Sequence, residues 1–189
     1  LSAVTLMKLT INDIVEKING TIIRQLKCKT GEEFPAQLFG ISFPIQIKDT
    51  DSDGSFPAVI DTDGECRYVF SDDDFAFGLY HRLLSKTYDK AKGYGDGDSD
   101  TETDEMITVV WGFSNRLGIN ALDFEHEIII PSIPKECALV SSDFDSYRVV
   151  NNEFRNINYL NKPEEFIFSV KYKFRHVFNR ICVSETNCI

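Results

Sequence analysis

Thirteen residues near the end of the chain, FIFSVKYKFRHVF (166–178), constrain the fold more than any other stretch. Phe166, Phe168, Val170, Tyr172, Phe174, His176 and Phe178 occupy alternate positions. Ile167, Ser169, Lys171, Lys173, Arg175 and Val177 fill the positions between them. Side chains of a strand point to opposite faces in turn, so this period of two predicts one long antiparallel strand, roughly 43 Å if unbroken. One face is aromatic and made for burial. The other carries a cationic stripe of Lys171, Lys173 and Arg175.

A helix precedes it. In INDIVEKINGTIIRQL (11–26), Ile11, Ile14, Val15, Ile18, Ile22 and Leu26 recur at three- and four-residue intervals, which predicts an amphipathic helix. Thr10 is placed to cap it and Asp13 to favour its first turn, while Gly20 weakens its middle. Short β segments are expected at 43–47, 57–60 and 66–70, separated by acidic turns. Residues 78–91 (GLYHRLLSKTYDKA) are expected to form a second helix, with Leu79, Leu83, Leu84 and Tyr88 on one side. The acidic stretch 93–105 is expected to be a mobile loop. MITVVWGF (106–113), apolar on both faces, predicts a central strand. Residues 120–130 predict a third helix with Asn120 as its cap, ended by Pro131 and Pro134. The expectation is a single α+β domain over residues 7–189. It has a mixed or antiparallel sheet, two to three flanking helices, a long C-terminal strand and acidic insertions at 48–74 and 93–105. Residues 1–6 read as an upstream extension or an added remnant.

The net charge of −10 is unevenly distributed. Residues 49–74 carry nine acids against Arg67, and residues 96–105 carry six acids and no base. Such loops would repel a phosphate backbone, so nucleic acid is disfavoured and a protein with basic patches is favoured. No apolar run approaches the ~20 residues of a membrane span. The five cysteines (Cys28, Cys66, Cys137, Cys182, Cys188) are odd in number and lack a C-x-x-C pair, which points to reduced thiols in a cytoplasm.

Candidate sites are few. Asp49, Asp51, Asp53 and Gly54 match the first half of a calcium loop. Position twelve is Ile60, which cannot ligate, and the preceding FPIQIK reads as a strand. A solvated turn is therefore the first reading and a calcium-dependent binding module the alternative. Catalysis finds no support: G-x-S-x-G and H-E-x-x-H are absent, and His81, His126 and His176 are isolated from one another. Asp72, Asp73 and Asp74 are contiguous, so their side chains diverge. A hydrolase assembled from distant residues stays open at this stage. No cofactor is expected.

The remaining reading is an interaction protein. The acidic residues Asp96, Asp98 and Asp100 of one subunit would meet Lys171, Lys173 and Arg175 of the next, in a head-to-tail interface that closes into a ring. The order of expected elements, with MITVVWGF followed by NRLGINALDFEHEIII and the closing IFSVKYKFRHVF, resembles tail-terminator and neck proteins of long-tailed bacteriophages. That resemblance implies a non-enzymatic ring subunit that contacts copies of itself and other virion proteins. Such a protein would be cytoplasmic during assembly and then part of the virion.

Overall fold

A computed structural model describes residues 10–49, 52–60, 63–69, 74–90, 99–153 and 164–179. The chain opens with helix α1 (Ile11–Thr30), followed by β1 (Ala36–Ile41), β2 (Phe43–Asp49), β3 (Ser52–Ile60), β4 (Cys66–Tyr68), β5 (Phe77–Lys90) and β6 (Ser99–Phe113). A short α2 (Ser114–Leu117) leads into a continuous helical run, made of α3 (Ala121–Phe124), a π-helical turn Glu125–Ile129 and α4 (Ile130–Ser132). Then come β7 (Cys137–Asp143), α5 (Ser146–Glu153) and β8 (Glu165–Asn179). The fold is α+β with a long C-terminal strand, as the sequence predicts.

Two sheets form. The larger is mixed, in the order β1-β5-β6-β8-β7, with β1 parallel to β5 and the other pairs antiparallel. The smaller is antiparallel, β2-β3-β4, and fills the crossover that the parallel β1–β5 pair requires.

Helix α1 forms for the reasons legible in its sequence. Thr10 and Asp13 make a reciprocal capping box, and Gly31 closes the other end at φ 76°, a left-handed conformation suited to glycine. Gly20 does not interrupt it. Ile14, Val15, Ile18, Ile22 and Leu26 are buried against one face of the large sheet. Full burial of a side chain such as Ile18 or Ile22 contributes about 1.5–3 kcal/mol. The 121–132 helical run packs beside α1 on that face, capped by Asn120 as predicted, and Lys29 pairs with Glu127 between them. The helix stops at Ile133, which is extended because a residue before proline avoids the helical region.

Both faces of the large sheet are covered. Phe77, Leu79, Met106, Val110, Phe168, Val170 and Tyr172 face α1 and the 121–132 run. Tyr80, Ile107, Val109, Trp111 and Ile167 face α5 and the small sheet, through Val149, Val150, Val59 and Val69. Every residue of 106–113 is buried, as a central strand requires. The aromatic face of β8 is buried as expected. On its other face Ile167 and Ser169 are also buried, Lys171 is half-buried, and Lys173 and Arg175 are exposed.

Two expectations fail. Residues 78–91 do not form a helix; through Lys90 they lie in strand β5. Phe77, Leu79 and His81 point to one covered face and Tyr80 to the other, so apolar residues fall on both sides and the alternation that marks a strand is lost. A bulge between Leu83 and Ser85 shifts the register further. Nor is 93–105 a loop throughout, because 99–105 is the first half of β6. Glu102, Asp104 and Glu105 are accommodated by neighbouring cations. Lys86 Nζ lies 2.5 Å from Glu102 and 3.1 Å from Asp104, whose side chain is fully buried, and Lys173 Nζ lies 3.3 Å from Glu105. Opposite charges across a ladder stabilise it by a few tenths of a kcal/mol to about 1 kcal/mol each.

His81 is enclosed at the centre of the sheet. Asn19 of α1 donates through Nδ2 to the Phe39 carbonyl at 3.0 Å, which leaves its Oδ1 to accept from His81 Nε2 at 3.0 Å. The other ring nitrogen, Nδ1, then accepts from the Thr108 hydroxyl at 2.8 Å. Burial pushes the imidazole pKa down to about 3, so the ring is neutral. His81 is thus a core histidine with both ring nitrogens hydrogen-bonded.

Candidate functional site

The side of the molecule that calls for explanation runs from Cys137 to Glu153. Strand β7 ends the large sheet. It pairs with β8 through Ala138 opposite Lys173, Leu139 opposite Tyr172 and Ser141 opposite Lys171, with a bulge at Val140. No described strand pairs with its outer edge. Residues 138–142 are exposed, with Leu139 and Val140 each 48% accessible. Exposure continues into Phe144 at 41% and Tyr147 at 76%. Edge strands are commonly protected by lysine or proline, and CALVSSD contains neither. An unprotected edge flanked by large apolar side chains is a template for another strand.

Local chemistry fixes this edge in place. Phe144 stacks on Phe168 with ring centroids 5.2 Å apart, and the Ser142 hydroxyl bonds to the buried Glu125 of the π-helical turn. Arg148 grips Asp143 with two bonds of 2.6 Å, which hold the carboxyl below its usual range. The Asp145 side chain accepts from the Arg148 backbone amide at 3.1 Å and starts α5. At the far end of α5, Glu153 is buried. Tyr80 donates to its Oε2 at 2.8 Å, and Arg82 lies 2.7 Å from its Oε1. Burial, first, and the Glu153 charge keep the Tyr80 phenol protonated, well above its ordinary pKa.

Between α5 and the sheet lies an open polar pocket of about 230 Å³, lined by Arg82, Asp143, Asn152, Glu153, Ser169 and Lys171 among others. Its two carboxylates each hold a guanidinium, Arg148 on Asp143 and Arg82 on Glu153. Lys171 adds a third cation, so the charges gathered here amount to one net positive.

The sequence-derived residues fall as follows. Lys171, Lys173 and Arg175 share one face of β8, one strand in from the open edge. Lys171 lines the pocket, Lys173 pairs with Glu105, and Arg175 is exposed. The backbone of Asp100 sits in β6 between Lys90 and Phe178. Asp96 and Asp98 lie outside the described residues. The half calcium motif falls on the β2–β3 hairpin, with Asp49 opposite Ser52, Lys48 opposite Asp53, and Asp51 outside the described residues. Among the described residues, no group of three or more His, Cys, Asp or Glu is placed to hold a metal ion. Cys28, Cys66 and Cys137 are free thiols. Among the described residues no helix is long and apolar enough to cross a membrane.

Sequence reasoning assigned no element to 137–153 and so missed the edge. A strand exposed along most of its length shows no apolar alternation. The one visible signal is a run of apolar residues, Leu139, Val140, Phe144 and Tyr147, close to serines and aspartates. Comparison with protein-family models gives no match to this chain, and neither does comparison with curated proteins.

Proposed function

We propose that this chain is a non-enzymatic structural subunit of a protein assembly, one that associates with copies of itself and docks another subunit along β7. The observation that carries this reading is the open β7 edge with Lys171, Lys173 and Arg175 one strand behind it. Backbone groups on such an edge give affinity, and charges behind it select the partner and speed encounter. The finer reading is a ring component of the head–tail junction of a long-tailed bacteriophage, a tail terminator or neck protein. It rests on the order of elements noted in the sequence. One member of that order, residues 78–91, lies through Lys90 in a strand where the resemblance has a helix.

The test is the mass in solution, by light scattering at low and high salt, of the wild type and of a variant with Lys171, Lys173 and Arg175 each changed to Glu. Assembly that weakens with salt and with charge reversal supports the reading. A monomer under every condition removes self-assembly, and an assembly indifferent to both changes removes the electrostatic interface.

A further inference from the structure

Lys171, Lys173 and Arg175 recur at every second residue, on the face of β8 that α5 overhangs. A strand added outside β7 would present its own alternate side chains to that face at the same interval, roughly 6.6 Å. It would lie two strand spacings from β8, about 9.6 Å, a gap that a glutamate and a lysine side chain close from opposite sides. The pocket under α5 offers one uncompensated positive charge, because Arg148 and Arg82 already neutralise Asp143 and Glu153.

From this we infer that the occupant of the β7 edge is an acidic extended segment of a different protein, with carboxylates at alternate positions, one of which enters the pocket and is held by Lys171. The inference rests on the assembly reading and names the partner for its edge. The chain itself contains a precedent for the contact: Glu105 of β6 lies opposite Lys173 on that face, 3.3 Å from its Nζ. A second copy cannot offer that strand, because β6 is paired on both sides within its own sheet. Symmetric pairing of two β7 strands brings no carboxylate either, since Asp143 is already held by Arg148. Neither β6 nor β7 of a second copy supplies the acidic strand, and the inferred occupant is a separate chain.

The probe is a blocked octapeptide of alternating Glu and Thr, titrated calorimetrically into the full chain at low salt, beside a peptide with Gln for Glu. The expected result is binding of the Glu peptide, weaker by about tenfold or more for the Gln peptide and for Lys171→Gln, and retained by Lys171→Arg. Circular dichroism on each variant confirms that it is folded. Equal binding by wild type and Lys171→Gln overturns the pocket contact. Glutarate binding as tightly as the peptide overturns strand addition in favour of a small-acid site. Scattering on the same samples separates the two readings: a protein that assembles but ignores the peptide overturns this inference alone, and a monomer that binds it overturns self-assembly alone.

Discussion

His81 Nε2 and Asn19 Oδ1 lie 3.0 Å apart, so a single hydrogen bond joins the middle of α1 to the centre of the sheet. The ring donates that bond in either protonation state; the bond that requires the neutral ring is the one Nδ1 accepts from the Thr108 hydroxyl. The folded protein keeps His81 unprotonated down to about pH 3, whereas the unfolded chain takes up a proton near 6.5. Between those values the unfolded state binds more protons, so stability falls as pH drops from 6.5 toward 3, with a limiting slope of about 1.4 kcal/mol per pH unit. Urea unfolding across that range should show a shallower slope for His81→Gln than for wild type. The carboxylates common to both proteins cancel in the comparison, and parallel slopes would show that His81 is not the titrating group.

Lys86 stands between Glu102 and the fully buried Asp104. Lys86→Met removes that cation from two desolvated carboxylates, and the expected loss is about 2 kcal/mol near neutral pH. Lys86→Arg, which keeps the cation, should recover most of that loss. An equal deficit in both variants would locate the effect in packing.

Gly78 faces Trp111 across β5 and β6, and a Cβ there would sit 2.2 Å from the indole Cζ2. Gly78→Ala must move the ring. The expected cost is about 2–3 kcal/mol, with a shift in tryptophan emission. Gly40→Ala is the control, since nothing lies within 4 Å of its Cβ position. A Gly78→Ala protein as stable as the control would mean that the indole lies elsewhere.

Calcium is tested by melting. An occupied site at a hundredfold excess over its dissociation constant adds about 2.7 kcal/mol. With Asp49 and Asp53 carried on the two strands of a hairpin, the expected outcome is identical curves in calcium and in chelator. A calcium-dependent rise would revive the binding-module alternative.

What could be read from the sequence depended on where each residue's partners lie. Helix α1 announced itself because its cap, Thr10 and Asp13, and its apolar spacing are local. Strand β8 did so because its cationic and aromatic faces differ over the stretch from Lys171 to Arg175. Strand β5 reads as a helix in the sequence because layers distant along the chain cover both of its faces. The acids of β6 looked like a loop because the cations that stabilise them, Lys86 and Lys173, come from other strands. Of the candidate site, the cationic stripe was visible and the pocket was not, since the pocket combines residues from β5, β7, β8 and α5.

The place of β8 between β6 and β7 also bears on the birth of the protein. A nascent chain stalled before Glu165 leaves one flank of β6 bare and gives β7 nothing to join. Completion of the large sheet thus waits for the last of its strands to leave the ribosome, and until then both ribbons are exposed to the mispairing that chaperones guard against.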